Sequence, residues 1–258
     1  REITEHMTST DRSWEPVRRL RAHEQVMAQI EDRILAGELS VGDRLPNERD
    51  LSVALGVSRP ALRESLRVLE ALGIVDIRRG GEGGAVLLGT PGPGFVNLMK
   101  LQLALGQFNS HDVIQTRIAL ETWSCREAAR HHTDVDIADL TRILDSMEDP
   151  DIPTIEFNKL DAQFHVRIAE STGNTLTAHL MQSLRVAINR QMIDAYAQLP
   201  DWRATATIVR AEHRAILEAL RAGESELSAQ RVHSHIVDFW GPPSRLDDPE
   251  AGAARAAR

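Results

Sequence analysis

The sequence predicts a mainly α-helical chain: an N-terminal winged helix-turn-helix followed by a C-terminal all-α antiparallel helical bundle. Three observations predict it. Up to residue 73, apolar residues recur at helical spacing in three short segments closed by Gly37, Gly56 and Gly73. Two short apolar runs then flank a glycine-rich turn. Beyond residue 94, long helix-periodic segments alternate with short breaks, and strand signals all but vanish.

The first segment starts near Glu24 and carries Val26, Ile30 and Ile34 at intervals of four, with Leu35 beside them. Leu39 to Asp43 reads as a loop. Asn47 is placed to cap a helix from Glu48 to about Leu55, and Ser58 to cap the next, with Pro60 in its first turn, where a missing N–H costs nothing. That helix directs Leu62, Leu66 and Leu69 toward a core. Residues 74–77 and 85–88 read as two strands of a hairpin around Arg78-Arg79-Gly80-Gly81-Glu82-Gly83-Gly84.

Thr90-Pro91-Gly92-Pro93-Gly94 reads as a linker, because alternating Pro and Gly suits neither helix nor strand. Seven helices are expected after it, over 95–105, 111–131, 135–148, 154–171, 175–199, 203–222 and 225–240. The domain expectation is therefore an extension over 1–23, a winged helix-turn-helix over 24–89, a linker over 90–94, a helical domain over 95–240 and a flexible, proline-containing tail over 241–258. The His6-Met7 pair resembles a cloning junction, so the opening residues are left out of the fold.

Composition narrows the function classes. No apolar run approaches the roughly 18 residues that span a bilayer, so no membrane partner is expected. A single cysteine, Cys125, excludes an intrachain disulfide framework and fits a reducing compartment; a cytoplasmic protein is expected. The net charge of −8 excludes a protein that coats nucleic acid by bulk charge. The charge is uneven, however. Residues 12–81 hold 12 arginines against 11 acidic residues, a balance of +1, so the rest of the chain holds −9 of the total −8. A near-neutral head can still present a local arginine face.

In a helix-turn-helix the second helix lies in the DNA major groove and its N-terminal residues meet base edges. Here that helix opens Ser58-Arg59-Pro60-Ala61-Leu62-Arg63. Arg59 and Arg63 are four apart and share a face. Each guanidinium fork matches the O6 and N7 acceptors of guanine. Arg49, one helix earlier, is placed for a phosphate, and Arg78 and Arg79 at the hairpin tip for a phosphate or the minor groove. The competing reading is a solvated face on which these arginines pair with nearby glutamates.

Gly42-Asp43-Arg44-Leu45-Pro46-Asn47-Glu48-Arg49-Asp50-Leu51, followed by Leu55-Gly56-Val57-Ser58-Arg59-Pro60-Ala61-Leu62-Arg63-Glu64-Ser65-Leu66, closely resembles the head of the GntR family of bacterial regulators. The resemblance runs from about Glu24 to Leu88. It implies DNA contacts at Arg49, at Ser58, Arg59 and Arg63, and at Arg79 and Gly80 in the wing. Pro60 and Ala61 stand where relatives often carry Thr or Ser, so hydroxyl contacts are not expected there.

In the body, Asp161 and His165 lie four apart in Asp161-Ala162-Gln163-Phe164-His165. His213 lies in Glu212-His213-Arg214-Ala215-Ile216, and His235 in His233-Ser234-His235-Ile236. A carboxylate and three imidazoles from three helices suit a divalent ion such as Zn²⁺, Ni²⁺ or Mn²⁺ inside a bundle. The competing reading is that these histidines are ordinary surface or satisfied residues, as His131, His132, His179 and His233 are expected to be. The body from about Phe95 to Trp240 resembles the C-terminal domain of the FadR subfamily, the FCD domain. The resemblance implies that the four residues are the ligand set of its metal-binding branch, with His235 chosen over His233 by its spacing of 22 from His213. It also places Arg117 and Asn174 at family positions. Arg117 either faces a ligand cavity, where it would hold a carboxylate, or forms a surface pair with Glu121. Asn174 is either a ligand contact or a helix cap.

Together these expectations describe a homodimeric repressor on a palindromic double-stranded operator, controlled by a small organic acid bound beside the metal ion. The same Asp-His₃ set leaves two alternatives, a metal-dependent hydrolase and a sensor of the metal itself.

Overall fold

The computed structural model describes residues 21–78, 84–89, 93–105 and 108–240. They fall into two compact units that part between Thr90 and Pro91. The extension over 1–20, the hairpin tip over 79–83 and the tail over 241–258 lie outside the described residues.

The first unit contains α1 (Ala22–Leu35), α2 (Glu48–Ala54), α3 (Arg59–Ala71), β1 (Val75–Arg78) and β2 (Gly84–Leu87). The side chain of Asn47 accepts from the Asp50 N–H at 3.0 Å, and Ser58 Oγ accepts from the Ala61 N–H at 3.4 Å, so both expected caps are in place. Val26, Ile30, Leu45, Leu62, Leu66, Leu69, Val75 and Leu87 form one apolar core. The buried Ser65 hydroxyl donates to the His23 carbonyl at 3.0 Å and ties α3 to α1.

Three details differ from the sequence reading. Leu35, the last residue of α1, is 86 % exposed and takes no part in the core. The strands pair antiparallel from Val75–Leu87 to Arg78–Gly84, one residue offset from the expected 74–77 and 85–88. The segment read as a loop also pairs with β2: Leu45 N–H donates to Ala85 O and Leu87 N–H to Asp43 O, each at 2.9 Å. The free edge of β2 satisfies its backbone groups on this segment.

The second unit contains α4 (Pro93–Ala104), α5 (Ser110–His131), α6 (Asp134–Ser146), α7 (Thr154–Glu170), α8 (Thr175–Ala197), α9 (Trp202–Arg221) and α10 (Ser225–Trp240). Helix α4 begins inside the stretch read as linker, since a proline is tolerated in a first helical turn. Asn109, Thr133, Asn174 and Asp201 cap α5, α6, α8 and α9 with side-chain oxygens. Helix α5 packs on α10, α7 on α8, and α9 on α10, around a core that includes Phe157, Phe164, Ile216, Leu217 and Val232. No helix among the described residues is long and apolar enough to cross a membrane.

Candidate DNA-reading face and metal centre

The head presents its sequence-predicted residues to solvent. Arg49 on α2 and Ser58, Arg59 and Arg63 on α3 are all exposed. Arg63 Nε donates to Glu48 Oε2 at 2.7 Å, so it is held across the turn between the two helices. That pair is exposed and worth at most about 1 kcal/mol, so it yields readily to a phosphate or a base edge. The Ser58 hydroxyl serves as the cap of α3. Arg78 ends β1 and pairs with Asp76 at 3.0 Å. Arg79 and Gly80 lie outside the described residues.

The body gathers its candidates instead. Asp161 and His165 come from α7, His213 from α9 and His235 from α10, and one donor atom of each lies within 4.8 Å of the others. All four are buried, with His213 at 0 % exposure and His235, the most open, at 6 %. The three imidazole centroids lie 4.7–5.4 Å apart. His233, two residues from His235, is exposed. His131, His132 and His179 each meet a carbonyl one turn back, as ordinary helix-surface histidines do.

Several features show that the donor set fits a divalent ion. His165 Nε2 and His213 Nδ1 are buried without a hydrogen-bond partner, and His213 Nε2 lies 3.2 Å from Asp161 Oδ1. Two such unpartnered nitrogens in one place are costly unless something binds them. The other nitrogens of two rings face carboxylates: His235 Nδ1 hydrogen-bonds Glu212 Oε2 at 2.6 Å, and His165 Nδ1 lies 2.8 Å from Glu121 Oε2. A carboxylate behind an imidazole is the usual support of a metal-bound histidine. Donors about 2.1 Å from one ion lie within roughly 4.2 Å of each other, so small side-chain rotations close this set. A carboxylate with three neutral imidazoles suits Zn²⁺, Ni²⁺ or Mn²⁺.

Electrostatics keep the centre in ligating form. Burial drives the His213 pKa down to about 3, and the neighbouring His235 and His165 add to this against the pull of Asp161. Burial also lowers His165, only partly offset by Glu121. Burial alone would raise the Asp161 carboxyl, but the Arg185 guanidinium and the two histidines hold it well below the usual range. Glu121 behaves likewise, with Arg117, His165 and Arg185 outweighing its burial.

Arg117 does pair with Glu121, but inside the core and not on the surface. Its Nε donates to Glu121 Oε1 at 2.8 Å, so the pair exists, but both side chains are only 2 % exposed. Arg117 also lines a cavity with Asp161 and His235, closed by Met192, Tyr196 and Phe239. Its Nη1 has no partner. The cavity measures about 10 Å³, room for a single water. Asn174 takes the second of its two readings: it is exposed and accepts from the Thr177 N–H at 3.0 Å as the cap of α8, away from the residues that line this cavity. A polar residue at a helix start has a local reason to be there, and that reason suffices.

Sequence reasoning missed Arg185 and Glu212 and gave Glu121 only a surface role. Arg185 on α8 is 2 % exposed, hydrogen-bonds Asp161 and lies 3.9 Å from Glu121. A signal did exist. Met181, Arg185, Ile188 and Met192 recur at helical spacing, so Arg185 interrupts a core stripe with a charge.

Comparison with known proteins identifies the family of both units. Residues 22–84 match the family described as bacterial regulatory proteins, gntR family, and residues 112–238 match the FCD domain. The uncharacterized HTH-type transcriptional regulator YcbG of Bacillus subtilis is 30 % identical over 82 % of this chain and 85 % of its own. The HTH-type transcriptional repressor NanR of Cronobacter sakazakii is 27 % identical over 86 % of this chain and 85 % of its own. A solved GntR structure from Streptococcus agalactiae aligns with a TM-score of 0.55 at 25 % identity, covering 84 % of this chain and 98 % of that one. These relatives are transcriptional regulators and not enzymes, which removes the hydrolase alternative. With both halves of its pattern matched, the chain belongs to the GntR family of DNA-binding transcriptional regulators and carries an FCD domain as its body.

Proposed function

We propose that this regulator is a homodimeric repressor whose grip on a palindromic operator is set by a small organic acid bound at a divalent metal site in its body. The observation that carries the reading is the convergence of Asp161, His165, His213 and His235 in one buried cluster with orphaned imidazole nitrogens. On the DNA side, Arg59 and Arg63 read base edges, Arg49, Ser58 and Arg79 hold phosphates, and Gly80 lets the wing approach the backbone. Two copies are needed because one head covers one half-site.

In the body, the four ligands hold the ion, which when bound supplies a positive centre for a carboxylate oxygen. Arg117 offers its unpartnered Nη1 to the same carboxylate while its Nε stays on Glu121. Tyr196, Met192 and Phe239 exclude water. A cavity with room for one water cannot hold an organic acid as it stands, so the acid enters only as the helices part. That movement is the coupling from effector to operator, for which roughly 1–3 kcal/mol is typical.

The small cavity also favours a second reading, in which the ion itself is the signal. Fluorescence anisotropy on an operator fragment separates the two. A hydroxy or dicarboxylic acid should weaken binding of the metal-loaded protein. Release by chelator alone, with no response to any acid, would establish the metal sensor. Metal retained stoichiometrically by His213→Ala would remove the site assignment altogether.

A further inference from the structure

We infer that Glu121 is the positioning residue of the centre: it decides which nitrogen of His165 faces the ligand set, and it does so with the same carboxylate that holds Arg117. This rests on the metal reading above and adds a residue that neither the sequence pattern nor the ligand set identifies.

Three contacts converge on this carboxylate. Oε1 accepts from Arg117 Nε at 2.8 Å and lies 3.9 Å from Arg185 Nη1. Oε2 lies 2.8 Å from His165 Nδ1, approached off the ring's N–H axis. At that separation a lone pair on Nδ1 would lie beside a buried negative oxygen and be repelled, so the proton is assigned to Nδ1. The lone pair of a neutral ring then belongs to Nε2. That atom lies 3.8 Å from Asp161 Oδ1, on the side of the ligand cluster, and has no other partner. Without Glu121 the two tautomers of His165 lose this bias, and a fraction of the protein would turn an N–H toward the ion.

The competing explanation is that Glu121 only balances charge. The fully buried set holds two cations, Arg117 and Arg185, against two anions, Glu121 and Asp161. Removing Glu121 alone leaves Arg117 unpaired and threatens the fold, so the test is made in a background without that charge. Arg117→Met is the reference. The double variant R117M/E121M is neutral and apolar, a replacement that buried ion pairs often tolerate. R117M/E121Q restores an oxygen opposite Nδ1.

The first readout is the ¹⁵N shift pattern of His165 in metal-free protein. R117M should show Nδ1 protonated, R117M/E121M a mixture, and R117M/E121Q a return toward the reference. The second readout is Ni²⁺ affinity by competition with a chelating dye. Against R117M, the E121M double should bind about 10–100-fold more weakly and the E121Q double should recover most of that loss. A folded R117M/E121M with the tautomer and Ni²⁺ affinity of R117M would overturn the inference. The two readings fail separately. If the native protein binds no Ni²⁺, Zn²⁺ or Mn²⁺, the metal site falls, while the tautomer of His165 still decides the part played by Glu121.

Discussion

The head and the body place their working residues in opposite environments. Arg49, Arg59 and Arg63 stand in solvent, and only Arg63 has an ion-pair partner among the described residues, itself exposed. Arg117, Glu121, Asp161, Arg185 and the three histidines are buried, and nearly every one touches another. The difference sets what each residue costs. An exposed arginine does little to support the fold, so the candidate reading face can change with little effect on folding. A buried charge is tolerated only with its counter-charge, so the candidate metal centre is part of the core and its chemistry cannot change without touching stability.

The sharpest way to break this contrast is Asp161→Ala. It leaves Arg185 buried without its hydrogen-bonded carboxylate, and losing one partner of a buried pair costs about 3–5 kcal/mol. Urea unfolding of the metal-free variant should show it; an unchanged midpoint would mean that Arg185 finds water instead.

Acid should weaken the body in the same sense. The His213 pKa in the folded protein is about 3 against an unreacted value of 6.5, so between those values the unfolded chain binds a proton that the folded one refuses. Stability of the metal-free protein therefore falls as pH drops from 6.5 toward 3. Asp161 and Glu121, held well below 3.8 and 4.5, act in the same direction once pH passes below those values, because the stability they confer is lost as pH falls through their folded pKa. A denaturation midpoint that rose on acidification from pH 7 to 4 would contradict a buried, neutral His213.

Arg59→Ala should cost roughly 1–3 kcal/mol in operator affinity and leave the thermal midpoint unmoved. A matching loss of stability would show that the reading face is less independent of the fold than its exposure suggests. The smallest effect belongs to Ser58→Ala, which removes the cap of α3 and should lower the stability of the head by about 1 kcal/mol. Ser58→Asn retains a capping oxygen, so it should keep that stability while changing any contact the hydroxyl makes to DNA.

Much of the fold was legible because its cues are local. A cap, an apolar stripe and a closing glycine lie within one helix length, so α2, α3 and the helices of the body could be placed within a few residues. The errors fell where a partner came from elsewhere. The 42–45 segment carries no strand pattern of its own and is ordered by the open edge of β2. Leu35 looked like core because periodicity cannot say where the neighbouring helix ends. Asn174 carried a motif position but only a local task.

The sequence by itself determined the helix-turn-helix head and which candidate residues share a face, since Arg59 and Arg63, or Asp161 and His165, are paired by helical spacing alone. Only the tertiary structure decided that Arg117 and Glu121 pair inside the core instead of on its surface. It alone brought Arg185 from α8 to Asp161, and Glu121 and Glu212 to the backs of two imidazoles. The physical reason is that a charge's burial and partner depend on which helices pack against it, and α5, α7, α8, α9 and α10 meet here from positions up to 118 residues apart, the separation of Arg117 and His235.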